Sequence, residues 1–248
     1  MYDDLFGKTV LITGGTGGLG RQLIFDFSSA GANLIIHGRN FTTEFDSWLE
    51  SIVKDFNIRI TKMSFDLDDE ESIKASFRSI PASIEIDILV NNAGVAHGGL
   101  FQMTPINEIK QVFNINYFSQ VLITQHVVRR MIRKGCGKIV NISSISGLDA
   151  KPGNVAYGAS KAALIAFTRT LSAEMSSYGI NVNCIASGLI ETKMATMMEG
   201  KALKLMIEES GAGRLAQPKE ISNIVLFLSS DQSDFINGQT LRVDGGSI

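Results

Sequence analysis

Lys8-Thr9-Val10-Leu11-Ile12-Thr13-Gly14-Gly15-Thr16-Gly17-Gly18-Leu19-Gly20 is a β-branched run that breaks into a glycine cluster. Beyond it, Leu19 to Ala30 carries apolar side chains at helical spacing, through Leu19, Leu23, Ile24 and Phe27. The stretch predicts a strand over Lys8 to Thr13, a tight turn and a helix. Glycines at 14, 18 and 20 follow Gly-x-x-x-Gly-x-Gly. That spacing lets backbone approach a pyrophosphate while the next helix offers its first amides and the positive end of its dipole. Ordinary strand-to-helix turns also need glycine, so the stretch suggests a nucleotide without establishing one. No Gly-Lys-Ser or Gly-Lys-Thr follows, which disfavours a phosphoryl-transfer loop.

Outward from this unit the same alternation repeats. Gly31 reads as a helix stop before a second strand at Asn33 to His37; a helix around Glu44 to Asp55, a strand at Arg59 to Ser64, a helix from Asp69 to Ile80 and a strand at Asp87 to Val90 follow. The longest helix is expected from Pro105, capped by Thr104, to Lys134, with Gly135 and Gly137 ending it. Lys138 to Ile142 is the fifth strand, Asn154 to Tyr178 a helix, Asn181 to Ala186 the sixth strand and Thr240 to Val243 the last. Alternating strands and helices imply parallel pairing and right-handed crossovers, and continuously apolar strands imply a sheet covered on both faces. With no linker, low-complexity tract or longer repeat, residues 1–248 are expected to form a single doubly wound α/β domain. The least regular part, about 187–214, holds Met194, Met197, Met198 and Met206 and is expected to be a lid over a binding site.

Bulk properties narrow the function. A formal net charge of -2 gives no electrostatic reason to expect nucleic acid or an anionic membrane as partner. The first residues show no secretion signal, and no apolar run approaches the ~20 residues that span a bilayer, so a cytoplasmic protein is expected. Cys136 and Cys184 are too few and too far apart for a disulfide framework or metal site, and read as buried small hydrophobes. His37, His97 and His126 are scattered, so no metal is expected.

Two further stretches carry chemistry. Tyr157 and Lys161 are four apart, so on a helix they project from one face. A free phenol titrates near ~10; a nearby ammonium favours the phenolate and lowers that value, making the tyrosine a proton-transfer group. Ser144 adds a hydroxyl that could hold and polarise a carbonyl oxygen. After the second strand comes His37-Gly38-Arg39-Asn40. An acidic side chain there would bind a ribose 2′-hydroxyl, whereas Arg39 would accept a 2′-phosphate, favouring NADP(H) over NAD(H).

Taken together, Thr-Gly-x-x-x-Gly-x-Gly at 13–20, Asn-Asn-Ala-Gly at 91–94, Ser144 thirteen residues before Tyr157, and Tyr-x-x-x-Lys at 157–161 resemble the short-chain dehydrogenase/reductase family over essentially the whole chain. The resemblance implies a Rossmann fold with a seven-stranded parallel sheet in the order 3-2-1-4-5-6-7. It implies that Tyr157 protonates a carbonyl oxygen as hydride arrives, that Ser144 orients that oxygen, and that Lys161 lowers the tyrosine pKa and holds the nicotinamide ribose. Asn116 would support a water-linked proton relay. Gly14, Thr16, Gly18, Leu19 and Gly20 would cradle the cofactor phosphates, with Arg39 at the 2′-phosphate. Asp66 and Leu67 would flank the adenine, Asn92, Ala93 and Gly94 would line the cleft, and Ile190 and Thr192 would touch the carboxamide.

Within the family, Gly213 to Ile221, Phe227 to Asp231 and Asn237 to Gly246 are most similar to 3-oxoacyl-(acyl-carrier-protein) reductases, implying NADPH-dependent reduction of a β-ketoacyl thioester. Sugar, steroid and polyketide reductases share this tail, and a nucleotide-sensing scaffold without chemistry is an alternative from another class. The departures are specific. Gly17 stands where NADP-using relatives often carry a base, and Ser187-Gly188 replaces Pro-Gly, which should loosen the start of the lid. The arginines that grip a carrier protein align with Gly135 and Tyr178, leaving Arg129, Arg130, Arg133 and Lys134 as candidates to substitute. The resemblance also implies a homotetramer, with a dimer face on the helices around 105–134 and 154–178.

Overall fold

The computed structural model describes residues 2–192, 195 and 200–246. Seven parallel strands, β1 (Thr9–Ile12), β2 (Asn33–Gly38), β3 (Ile60–Ser64), β4 (Ile88–Asn91), β5 (Gly137–Ser144), β6 (Ile180–Ser187) and β7 (Thr240–Val243), form one sheet in the order β3-β2-β1-β4-β5-β6-β7. The order of connection reverses beside β1, where β1 pairs with β2 on one side (Ile12 opposite Ile36) and β4 on the other (Ile12 opposite Val90). In such sheets the crevice outside the carboxyl ends of the strands at this switch point is the binding site.

Strand periodicity sorts the core into two layers. Val10, Ile12, Leu34, Ile36, Val90 and Val140 point to the face covered by helices α1 (Gly18–Ser29), α2 (Thr43–Phe56) and Pro218–Ser229. The intervening Leu11, Ile35, Leu89 and Ile139 point to the opposite face, covered by α3 (Glu70–Ser79) and the helix carrying Ile123, Val127 and Met131. Both faces of the central strands are dry, so β1, β2 and β4 read as largely apolar runs, whereas β3 and β7 at the edges carry exposed residues. The helix starts are chemically fixed: the Thr42 hydroxyl accepts from Phe45 N at 3.2 Å and the Asp69 carboxylate from Ser72 N at 3.1 Å.

The expected helix from Pro105 to Lys134 is three pieces: α4 (Ile106–Phe113), a π-helical turn over Asn114–Phe118, and α5 (Ser119–Lys134). Thr104 does not cap it, because its hydroxyl donates to Leu100 O at 3.0 Å and Pro105 occupies the cap position. Gly135 ends α5 at φ +80°, whereas Gly137 already belongs to β5. The helix α6 (Val155–Met175) bears Tyr157 and Lys161, and ends in a 3-10 turn at Ser176–Tyr178. In the expected lid region α7 (Gly200–Glu208) is described, while Met194, Met197 and Met198 lie outside the described residues; α8 (Pro218–Ser229) follows the region. No helix among the described residues is long and apolar enough to cross a membrane.

Candidate active site

The glycine turn is built from the end of β1 upward. Thr13 is fully buried, and its hydroxyl accepts from Asn92 N and Ala93 N, each at 2.9 Å, while the Asn92 amide donates to Thr13 O at 2.8 Å. This stitches the glycine turn to the Asn91-Asn92-Ala93-Gly94 loop. From the other side, Gly14 N donates to His37 Nδ1 at 3.3 Å, and His37 Nε2 meets Phe65 O at 3.1 Å while the ring stacks on Phe65 at 3.9 Å. An acceptor at Nδ1 leaves the proton on Nε2, so this imidazole is neutral. Burial pushes the His37 pKa down to about 4. Sequence reading passed over His37; the signal was a polar residue ending a strand of otherwise buried type.

Close approach explains the glycines. A Cβ on Gly20 would stand 2.2 Å from Gly14 O, one on Gly14 would stand 2.9 Å from Cα of Ala93, and one on Gly18 would stand 2.7 Å from Cγ2 of Thr192. At Gly17 a Cβ would meet only Gly14 O, at 3.4 Å. The cap of α1 is Gly17, which offers no side chain to its first amides, and no acidic residue lies in the first turn. That uncapped, acid-free helix start fits a phosphate. Thr16 packs against Gly38 beside the end of β2, Leu19 is buried, and Thr192 lies against Gly18.

Ser144 is the last residue of β5, and its Oγ accepts from Ser146 N at 3.2 Å. It lies within hydrogen-bonding reach of the Tyr157 hydroxyl. Lys161, one turn along α6, is buried and donates to Ile142 O at 2.8 Å, with its ammonium 5.8 Å from the centre of the Tyr157 ring. Burial pushes the Tyr157 phenol up, the opposing influence is the hydrogen bond from Ser144, and the ammonium is directed at the strand carbonyl. Burial likewise brings the Lys161 pKa down to about 8. Cys184 is buried near this lysine, its thiol pushed up to about 11, but Cys136 is exposed, against expectation, in the turn between α5 and β5.

Asn116 sits in the π turn with no exposed surface. Its Oδ1 accepts from Val95 N at 2.8 Å, and its Nδ2 donates to Val95 O at 3.0 Å and to Ser160 Oγ at 3.1 Å. The side chain thus clamps the loop after β4 onto α6. A Cβ on Gly94 would stand 3.0 Å from Asn116 Oδ1 and 3.4 Å from Lys161 Nζ, so Gly94 keeps clear the gap between the two. π turns recur at functional sites because they re-aim a side chain within a helix.

Of the remaining expected residues, Arg39 is exposed at the end of β2, in no ion pair among the described residues, with its carbonyl accepting from Ser64 Oγ at 2.7 Å. Asp66 is exposed beyond β3, where Oδ1 accepts from Asp68 N at 3.0 Å, while Leu67 packs into the second core layer. Ile190 pairs with Ala216 in an isolated bridge across the base of the lid. At the start of the expected lid region Ser187 is buried and Gly188 N donates to Val243 O at 2.9 Å, which ties this segment to β7. Two of the four bases near Gly135 are committed internally. Arg130 donates to the carbonyls of Ile80, Pro81 and Ile84, and Lys134 is paired with Glu85 at 2.7 Å and with Asp87. Arg129 and Arg133 remain exposed.

Beyond Ser144 lies a cavity of about 100 Å³ whose lining includes Ile145, Lys151, Leu189, Leu215 and Val243. Lys151, from the loop between Ser144 and Tyr157, pairs with Glu209 just after α7, tying the expected lid region to that loop. The residues gathered here, two hydroxyls, a buried lysine and a phosphate-compatible helix start, can bind a dinucleotide and hold a carbonyl oxygen against a proton donor.

The family described as enoyl-(acyl carrier protein) reductase matches residues 14–247. The chain is 36% identical over 243 residues to the 3-oxoacyl-(acyl-carrier-protein) reductase of Aquifex aeolicus, covering 98% of each, and 34% identical to that of Thermotoga maritima, covering 98% of this chain and 99% of the relative. Among solved structures, gluconate 5-dehydrogenase from Burkholderia cenocepacia, in complex with NADP and tartrate, superimposes with a TM-score of 0.89 at 33% identity, covering 97% of this chain and 95% of that one. Levodione reductase gives 0.89 at 28% identity, covering 97% and 98%. With the motifs in register along one sheet and relatives matched end to end, the chain belongs to the short-chain dehydrogenase/reductase family of oxidoreductases.

Proposed function

We propose that this protein reduces a ketone to a secondary alcohol with NADPH, and that its substrate is a 3-oxoacyl thioester. The observation that carries the reading is the convergence of the Ser144 and Tyr157 hydroxyls at the carboxyl end of β5, beside buried Lys161. Ser144 holds and polarises the carbonyl oxygen; Tyr157 donates the proton. Because burial raises the phenol pKa, Tyr157 carries its proton at neutral pH, the form a reduction requires. NADPH, when bound, supplies the hydride. Gly14, Thr16, Gly18, Leu19 and Gly20 hold its phosphates, Arg39 the 2′-phosphate, Asp66 and Leu67 the adenine side, and Asn92, Ala93, Gly94, Ile190 and Thr192 the nicotinamide side. Lys161 holds the ribose, and Asn116 orders the gap beside it. Orientation and stabilisation of the developing alkoxide are the main catalytic effects.

The thioester is supported by curated relatives named 3-oxoacyl-(acyl-carrier-protein) reductases at 34–36% identity. A sugar-acid ketone is the second reading, supported by the 33% identical gluconate 5-dehydrogenase. Exposed Ile106 and Phe118 on the helices around 105–134 support a homo-oligomer of the family's tetrameric kind. Engagement of an acyl carrier protein would fall to Arg129 and Arg133, and equal catalytic efficiency on free and carrier-linked substrates would remove it.

The deciding experiment is NADPH oxidation with acetoacetyl-CoA by the wild-type protein and Tyr157→Phe. Turnover that vanishes in the variant is the expected result. Tight NADPH binding without turnover on this substrate would sink the thioester assignment and bring sugar-acid ketones forward; turnover retained in Tyr157→Phe would sink the chemistry.

A further inference from the structure

The loop after β4 runs between two anchors. At one end Val95 is clamped by the Asn116 amide, and at the other Gly99 N donates to Gly153 O at 2.9 Å, four residues before Tyr157. His97 stands midway between these anchors, on the segment that joins the Asn116 clamp to the residues just before α6. Its Nε2 lies 3.0 Å from Glu108 Oε2 on α4, and its Nδ1 is buried with no partner. Among the described residues, His97 is the only titratable side chain with such an orphaned buried atom.

The chemistry of the orphan follows from its partner. A carboxylate only accepts, so Glu108 takes the proton on Nε2, and the tautomer with its single proton there presents an unshared pair at Nδ1. A buried acceptor without a donor is unfavourable, and such an atom calls for a partner that the protein itself does not supply. The Glu108 contact fixes the tautomer and the ring orientation, as a carboxylate behind a functional histidine does.

We propose that His97 is a substrate-positioning residue whose Nδ1 accepts a hydrogen bond from a donor on the substrate beyond the reacting carbonyl. The donor is an amide N–H on the thiol arm of an acyl thioester, or a hydroxyl next to the ketone of a polyhydroxy substrate. Either is an N–H or O–H brought to a waiting lone pair, and a site built for such a donor discriminates strongly against an analogue that lacks it. The inference rests on the carbonyl-reducing reading of Ser144 and Tyr157.

The test compares kcat/KM of the wild type and His97→Ala on matched pairs: acetoacetyl-CoA against ethyl acetoacetate, and an α-hydroxy ketone against the corresponding plain ketone. The expected result is a loss of about tenfold on the donor-bearing member of one pair, with the donor-free member changed by less than about twofold. The pair that responds names the donor. His97→Gln, which keeps an acceptor, should recover part of the loss. Equal losses on both members, the signature of a displaced loop or a bound water, would overturn the proposal, as would no loss at all. The same comparison made as equilibrium binding to NADPH-loaded Tyr157→Phe protein reads His97 without turnover. Absent turnover in the wild type would defeat the reading of Ser144 and Tyr157, while unselective binding would defeat only the role of His97.

Discussion

Protonating His37 should unlock the glycine turn from below. The ring is 2% exposed, and its pKa falls from 6.5 to about 4 in the folded protein. Folding therefore excludes a proton that the unfolded chain binds between those values. The contribution is complete above pH 6.5 and is lost as pH falls toward 4, and a gap of about 2.5 units corresponds to about 3 kcal/mol. Against a total stability of about 5–15 kcal/mol, that is a large share. The structural event is specific: a proton on Nδ1 would face the Gly14 N–H donor to donor, breaking the 3.3 Å contact. The comparison is His37→Asn, whose side-chain oxygen can still accept from Gly14 N but does not titrate. Urea denaturation of both proteins between pH 7.5 and 4 should show the wild type losing about 3 kcal/mol more than the variant, since carboxylate titration is common to the two. Parallel stability curves would refute the reasoning, because they would mean that the ring is hydrated or already protonated at neutral pH.

Three other outcomes follow from contacts around the cleft. Gly20→Ala forces a Cβ to within 2.2 Å of a backbone oxygen, so NADPH affinity by fluorescence titration should fall at least about tenfold, while Gly17→Ala, with its nearest contact at 3.4 Å, should bind almost normally. Asn116→Ala removes three hydrogen bonds, two to Val95 and one to Ser160, and should destabilise the fold by about 2–4 kcal/mol in urea while lowering kcat. Arg39→Ala should raise the KM for NADPH by about 10- to 100-fold and leave that for NADH unchanged; a parallel rise in both would remove Arg39 from the 2′-phosphate.

The sheet was legible because its strands are apolar on both sides and its helices follow one period, so each element announced itself within a few residues. The site was legible where one short motif carried both position and chemistry: Ser144, Tyr157 and Lys161 come together as their spacing implied. What escaped was set by distant partners. The π turn hides because helical periodicity resumes on both sides of it. Lys161 has its carbonyl partner nineteen residues away at Ile142, so spacing along α6 could not show that its ammonium donates to a strand. Arg130 and Lys134 read as a free basic face until the loop at 80–87 folds back on them. Cys136 looked like a core residue by type alone, and its exposure is decided by the turn that holds it.

The π turn at Asn114–Phe118 also couples two registers in one rod. One residue advances an α-helix by about 100°, so deleting a residue there would relax the turn to ordinary helix and rotate all of α5 by that angle against α4. Ile123, Val127 and Met131, now inside, would swing off the sheet, and Asn116 would leave the cleft in the same movement. The extra residue cannot be discarded without derailing the core, so the phase that sets the amide at the cleft is locked by hydrophobic packing more than a turn away.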